Sequence, residues 1–370
     1  MAVRLKDIAL LSGISRQAVA AALEGGGSSR VSERTREKVR KLARELNYVP
    51  NAAARKLRGG DGRTVGLLAS PGLMISNTVR AEVSSILLSK GYSTLFMAQE
   101  LEDLPTLCGK LESCGVSGIV VLDAADVPGR LVRVPDLPVI FCRCPSGGYD
   151  LNVDRELTGY ISTRHLLEHG HKSVFYLTTD CSSGSRRRQG WSRALKEAGA
   201  AGRLIELRKL GGDADELERL LRREHVTALF CSNDYLAAKT MRALQDRGWR
   251  IPEDMAIVGC DGHSFVEFTR PTLTTVIQPV HELAEKCVDM LLERMARHQC
   301  GPVMESIDIP PRLWIGGSCG CPDRSLRTIY QISTTGNLER DHRMNFNASL
   351  WPETDENPPE DGAKPEGERA

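Results

Sequence analysis

The 370-residue sequence predicts a small all-α helix-turn-helix head followed by an α/β core of two doubly wound parallel-sheet lobes. Three observations carry that reading. The first 47 residues hold short helical patterns broken at Gly13, and the first 63 residues concentrate basic charge, with 14 Lys/Arg against 6 Asp/Glu, net +8. From Thr64 onward, short apolar runs alternate with helical patterns, the signature of a parallel sheet covered on both faces. The length exceeds the roughly 100–200 residues of one domain, so a head and a larger body are expected.

In the head, Leu5, Ile8, Ala9 and Leu11 repeat at helical spacing. Gly13 then permits the left-handed backbone that ends a helix, and Ser15 can cap the next one with its hydroxyl. In the second helix, 15–24, Val19 and Leu23 face inward with Ile14, while Arg16, Gln17 and Ala21 face outward. This is helix-turn-helix geometry, in which the second helix lies in the major groove of DNA. Gly25 to Arg30 form a loop without helical propensity. A third helix starts at Ser32, a good N-cap, and its Val39, Leu42, Ala43 and Leu46 make one stripe that closes over the first two helices. Residues 47–58, ended by Gly59-Gly60, carry the alanines and leucine of a helix but fall short of the ~12–15 residues an isolated helix needs. That segment is expected to order only when bound.

In the body, strands are expected at 65–69, 94–97, 118–122 and 139–142, with helices at 80–90 and 101–114. A second set follows a crossover near Asp154. Its helices fall at 156–168, 186–197, 213–224 and 234–247, and its strands at 173–177, 204–207, 228–231 and 256–258. Two such lobes resemble a periplasmic-binding-protein core, and ligands of doubly wound sheets bind outside the carboxyl ends of the strands. The cleft between the lobes is therefore the expected effector site. The resulting boundaries are 1–49 for the helix-turn-helix head, 50–63 for a short helix and linker, 64–325 for the two-lobed core, and 326–370 for an acidic tail.

Several linked stretches in this order are similar to one family. Lys6-Asp7-Ile8-Ala9, Gly13-Ile14-Ser15, Val31 to Val39, Leu46-Asn47-Tyr48-Val49-Pro50-Asn51 and Ala54-Arg55-Lys56-Leu57 resemble the lactose-repressor (LacI/GalR-type) transcription regulators over residues 1 to about 320. The resemblance implies that Ser15, Arg16, Gln17 and Ala21 belong to the major-groove surface. It further implies that Asn51, Ala54, Arg55 and Leu57 enter the minor groove, with Leu57 as the wedge that kinks the duplex. The chemistry agrees: Arg pairs bidentately with guanine and Gln with adenine, each worth about 1–3 kcal/mol of discrimination. Ala20 and Ala21 stand where relatives often carry a polar reader, and Glu24, Arg4 and a longer glycine loop also depart from the pattern, so base readout is thin. The plainer reading of the head is a three-helix module that binds a protein or nothing.

The same resemblance assigns effector contacts to Arg187, to Asn233 and Asp234 after the strand ending at Cys231, and to Asp261 after Cys260. A donor fork with two or three acceptors suits a polyhydroxylated ligand. Trp191 and Phe265 are the candidates for an aromatic platform, and a sugar is the effector class expected. Each residue has a plainer reading as well. Arg187 belongs to a basic triplet at a helix start, Asp234 is a helix cap, Asp261 is turn chemistry before Gly262, and Trp191 is core.

Hydrophobic residues make up 41% and charged residues 26%, enough for a sizeable core. No apolar run approaches the ~20 residues of a membrane span, and no signal-peptide core begins the chain, which points to the cytosol and away from membranes. Eleven cysteines, an odd number, including Cys142, Cys231, Cys260 and Cys287, fit reduced buried thiols better than a disulfide framework. Cys319 and Cys321 supply two metal ligands, and no nearby histidine pair completes four, so structural thiols are expected, with metal binding or redox sensing as the alternative, and no metal or other cofactor is expected. The tail, with Pro352, Pro358, Pro359 and Pro365 and seven acids from Glu353 to Glu368, is expected to lack a packed structure. No Walker loop, His-Glu-x-x-His or Gly-x-Ser-x-Gly motif points to an enzyme.

These readings converge on a homodimeric repressor that binds a near-palindromic double-stranded operator and answers to a small polar effector held in the core. The alternative is a solute sensor with degenerate DNA recognition that acts through a protein partner.

Overall fold

The computed structural model describes residues 3–23, 31–46, 48, 63–70, 74–98, 104–124, 137–144, 150–179, 185–300, 306–321, 329–332 and 338–341. The head contributes α1 (Leu5–Ser12), α2 (Arg16–Leu23) and α3 (Glu33–Glu45). Next come β1 (Thr64–Ala69), α4 (Met74–Ser89), β2 (Ser93–Ala98), α5 (Leu104–Ser113), β3 (Gly118–Leu122), β4 (Val139–Cys142) and β5 (Leu151–Val153). The chain continues through α6 (Arg155–Glu168), β6 (Phe175–Thr178), α7 (Ser185–Ala198), β7 (Leu204–Glu206), α8 (Ala214–Arg223) and β8 (Ala228–Cys231). It ends with α9 (Asp234–Gln245), β9 (Ala256–Asp261), β10 (Thr274–Ile277), α10 (Val280–Arg297), β11 (Ile307–Ile309), β12 (Arg312–Trp314), β13 (Ile329–Ile332) and β14 (Leu338–Asp341).

The chain divides into two compact units, Met1–Asn152 with Val280–Asp308 and Val153–Pro279 with Ile309–Ala370. The first contains a sheet in the order β11-β5-β4-β3-β1-β2, in which β2, β1, β3, β4 and β5 pair in parallel. Every residue of β3 and β4 is buried, which explains why these strands read as unbroken apolar runs and show no alternation. One side of this sheet packs Leu68, Ile119, Val121 and Phe141 with Leu107 and Leu111 of α5. Helix α4 buries Val79, Val83 and Leu87 at successive four-residue steps.

The second unit holds a sheet in the order β14-β13-β12-β10-β9-β8-β6-β7. Strands β7, β6, β8, β9 and β10 are parallel, and β12 runs antiparallel to β10. Leu177, Leu229, Ile257 and Trp314 fill one face of this sheet, and Tyr176, Phe230, Val258 and Trp191 the other. Each fully buried Leu, Ile, Val or Phe contributes about 1.5–3 kcal/mol relative to exposure. Helices α6 and α7 pack against each other at Gly159 and Gly190. A Cβ on Gly159 would collide with the Arg187 carbonyl, and one on Gly190 with the Glu156 carbonyl. Only this close approach seats the first turn of α7 where it lies.

The fold class agrees with expectation, and several details do not. Helix α4 begins six residues before position 80, and β10, α10 and the short strands β5 and β11 were not marked by the periodicity. Leu11 is 62% exposed while Ser12 is buried, because the last turn of α1 rotates the serine inward. Within 326–370, expected to lack packed structure, β13 and β14 continue the second sheet as antiparallel strands. Ile329, Tyr330 and Ile332 have strand propensity of their own, which the average composition of the acidic tail hides. Among the described residues the cysteines are free, and Cys142, Cys231, Cys260 and Cys287 are buried. No described helix is long and apolar enough to cross a membrane.

Candidate functional site

The head is organised by three local hydrogen-bonding devices. At the start of α1 the Asp7 carboxylate accepts the Arg4 amide at 2.8 Å, which satisfies one of the orphan donors of a helix N-terminus. Gly13 ends α1 at φ +69°, a left-handed conformation that costs glycine nothing. Two residues on, the Ser15 hydroxyl accepts the Ala18 amide at 3.2 Å and caps α2. Ser32 does the same for α3 through the Thr35 amide. Ile8, Val19, Ala22, Val39 and Ala43 form the small core, with Ile14, Leu23 and Leu42 packed around it. Lys38 Nζ donates to the Ser12 carbonyl at 2.9 Å and ties α3 to the end of α1.

The consequence is that Arg16 and Gln17 stand exposed in the first turn of α2, with the capping Ser15 beside them. Ala21 is half-buried and offers only part of a methyl group to a partner. Asn51, Ala54, Arg55 and Leu57 lie outside the described residues.

In the second unit, four of the five expected effector residues gather at the carboxyl ends of the parallel strands. Asp261 ends β9 with φ +121°, an uncommon conformation for a residue other than glycine and one that clusters at functional positions. Arg187 Nη2 stands 3.5 Å from Asp261 Oδ1. The Gln278 amide group donates to the same oxygen, and His263 Nε2 lies 3.9 Å from the other. Asn233 is the N-cap of α9, accepting the Leu236 amide at 2.8 Å.

Asp234, the first residue of α9, is fully buried. Its carboxylate accepts the amides of Gly262 and His263 at 2.7 and 2.9 Å and the Thr275 hydroxyl at 2.5 Å. It therefore pins the turn after β9 to both α9 and β10. Burial, reinforced by the neighbouring Asp261 charge, pushes its carboxyl up to about 7 despite those three donors. The helix-cap reading thus belongs to Asn233, while Asp234 shapes the turn from beneath.

Trp191 does not join this group. Its indole N–H donates to the Val174 carbonyl at 2.9 Å and its ring packs beside Tyr176, so the side chain is committed to the core. The aromatic nearest in sequence to Asp261 is Phe265, half-buried and stacked on His263 with centroids 5.6 Å apart.

Sequence reasoning missed Gln278, one residue beyond β10, and a polar cluster in the first unit. There the Ser76 hydroxyl donates to Asp123 Oδ2 at 2.6 Å, and Arg143 reaches both Asp123 oxygens at 3.2 Å. Asp123 and Arg143 directly follow β3 and β4, both at positive φ, 54° and 65°. The rule that ligands meet doubly wound sheets at the strands' carboxyl ends would have flagged Asp123, Arg143 and Gln278.

A further correction concerns Cys319 and Cys321. The fold brings His165 and His169 to them, so that one ligand atom from each of the four lies within 4.8 Å of the others. The two histidines are at least 150 residues away in sequence, which is why no local spacing revealed them.

Comparison with known proteins fits both halves of this description. Residues 4–51 match the model of the bacterial regulatory proteins of the lacI family, and residues 163–319 match that of the periplasmic binding protein-like domain. The HTH-type transcriptional repressor PurR of Vibrio atlanticus is 34% identical over 311 residues, covering 79% of this chain and 91% of the relative. The ribose operon repressor of Haemophilus influenzae is 30% identical over 318 residues, with 79% and 91% covered. A crystal structure of the Lac repressor dimer bound to operator and the anti-inducer ONPF superposes with a TM-score of 0.69 at 25% identity, covering 86% of this chain and 99% of the other. With a capped helix-turn-helix at its head and a polar cluster at the strand ends of its α/β core, the chain belongs to the lacI family of bacterial regulatory proteins.

Proposed function

We propose that this chain is a homodimeric transcription repressor whose affinity for a near-palindromic operator is set by a small polyhydroxylated ligand, of the sugar class, bound through Arg187 and Asp261. The observation that carries the ligand reading is the convergence of Arg187, Asp261 and Gln278 at the carboxyl end of the second sheet. A guanidinium fork, a carboxylate and an amide supply donors and acceptors to vicinal hydroxyls. Phe265, stacked on His263, is the aromatic face available to a sugar ring.

On the DNA side, Arg16 and Gln17 read base edges from the first turn of α2. The basic head supplies the phosphate term, and the hinge residues Asn51, Ala54, Arg55 and Leu57 work in the minor groove, with Leu57 as the wedge. With alanines at 20 and 21, much of the selectivity falls to DNA deformability at the hinge. Ligand binding shifts the population between two arrangements of the core, and the hinge pairing and operator affinity follow.

Two experiments test this. Selection from random duplexes is expected to enrich a palindrome with two half-sites, and binding should weaken steeply with salt. A thermal-shift screen of sugars should find a ligand that stabilises the wild-type chain and leaves Arg187→Ala unshifted. If no duplex is enriched with or without the sugars, the repressor reading fails in favour of a sensor that acts through a protein partner.

A further inference from the structure

The amino ends of the second sheet carry a separate constellation. His165 and His169 lie one turn apart at the end of α6, with ring planes at 87° and centroids 4.6 Å apart, so the two edges converge without stacking. Cys319 and Cys321 come from the segment after β12. Cys321 Sγ lies 3.1 Å from His169 Nε2 and 3.9 Å from His165 Nε2, while Cys319 Sγ is 3.8 Å from the Gly316 carbonyl. Gly320 between the cysteines has φ +85°, the left-handed bend that lets both thiols serve one point.

The surrounding framework holds this segment in place independently of any ion. The Ser318 hydroxyl donates to the Ile257 carbonyl at 2.6 Å and accepts the Thr274 amide at 2.9 Å. The Gly317 amide is held by Thr272 Oγ1 at 2.9 Å. Ile257 is the second residue of β9 and Thr274 the first of β10, whereas Asp261 and Gln278 stand at or just beyond the strands' ends, so this cluster sits at the opposite end of the sheet from the ligand cluster. His165 and Cys319 are buried, Cys321 is half-buried and His169 is exposed, which gives an ion a route from solvent. The nearby His171 is engaged with Thr227 at 2.9 Å through Nδ1.

We infer that His165, His169, Cys319 and Cys321 form a tetrahedral site for one zinc ion that clips the end of α6 to the segment following β12. Two thiolates and two imidazoles are the donor set of structural zinc, and four-coordinate zinc places its ligand atoms roughly 3.3–3.8 Å apart. The spread of up to 4.8 Å seen here closes to that value with about an ångström of side-chain rotation. Binding deprotonates the thiols and releases their protons to solvent; nothing is oxidised or reduced. The clip joins residues more than 150 positions apart, the long-loop geometry in which a cross-link restricts the unfolded chain most.

The test uses the full chain, reduced, stripped with chelator and titrated with cobalt(II) and zinc(II). Cobalt is expected to bind one per chain with the thiolate charge-transfer and intense red absorption of tetrahedral coordination, and one equivalent of zinc should erase both. Zinc should raise the melting temperature of the wild type. His169→Gln, at the exposed ligand, and Cys321→Ser should each lower zinc affinity at least about tenfold while keeping the wild-type circular dichroism spectrum. If the two variants do not fold, the wild-type cobalt spectrum and stoichiometry decide alone. Weak octahedral absorption, absence of saturable binding, or affinity unchanged in both folded variants overturns the assignment. None of these readouts involves DNA or the sugar site.

Discussion

Each unit buries an arginine–aspartate pair at the carboxyl end of its parallel sheet, and the two pairs are held differently. Arg143 engages both oxygens of Asp123 at 3.2 Å, Ser76 adds a 2.6 Å hydrogen bond, and both charged side chains are 3% exposed. Arg187 stands 3.5 Å from Asp261, whose Oδ1 also receives Gln278, and the pair is 9% and 8% exposed. A bidentate fork with a supporting hydroxyl is already a complete charge-assisted arrangement. The longer contact is closer to one that a ligand's oxygens can complete or replace. The difference teaches that a buried ion pair at a strand end is no evidence of a ligand site until its geometry is compared with a closed one.

The largest expected effect lies at the closed pair. Arg143→Ala leaves Asp123 buried without its counter-charge and should cost roughly 3–5 kcal/mol in urea unfolding, felt by the first unit. A loss below about 1 kcal/mol would show the pair to be no tighter than its counterpart.

Next in size is Asp234→Ala, which removes the acceptor for the Gly262 and His263 amides and the Thr275 hydroxyl. Stranding those donors should destabilise the second unit by about 3 kcal/mol. Ligand binding through Asp261 should weaken with it, because the turn bearing Gly262 loses its anchor. Full ligand affinity in a destabilised Asp234→Ala protein would separate the turn from the site.

Arg187→Ala should be milder for stability, about 1–2 kcal/mol, since Gln278 continues to donate to Asp261. Its main effect is functional: operator binding without ligand persists and the ligand response disappears. A variant that responds normally would remove Arg187 from the site and make both pairs structural.

The most gradual effect is a tilt with pH. Asp234 titrates near 7 in the fold against an ordinary value of 3.8, so the folded state holds the extra proton between those values. Stability from this group is therefore fully present below about pH 4 and declines as pH rises toward 7, by no more than about 1.4 kcal/mol per pH unit. Asp234→Asn should flatten that decline in denaturation curves taken across the window. An unchanged slope would assign the pH dependence to other groups.

Much of the head was legible because its determinants are local. Gly13, Ser15 and Ser32 act on backbone within a few residues of themselves, and the stripe Val39, Leu42, Ala43 and Leu46 follows from helical period. The core strands were equally plain, being apolar on both faces. Legibility failed where a residue's surroundings come from distant elements. Trp191 and Arg187 stand one turn apart on α7, yet the first reaches Val174 in the core and the second Asp261 at the strand end. No periodicity separates those fates.

The sequence by itself determined most of the element order, though not β5, β10, α10, β11, β13 or β14, and with it the capped helix-turn-helix, the basic charge of the head and the α/β character of the core. Caps, turns and apolar periods are short-range steric and hydrogen-bonding preferences, written within a few residues of where they act. Only the tertiary structure decided which polar groups meet. Arg187 joins Asp261 across 74 residues, and His169 joins Cys321 across 152, because the strand order β6-β8-β9-β10 and the close packing of α6 on α7 bring those segments together.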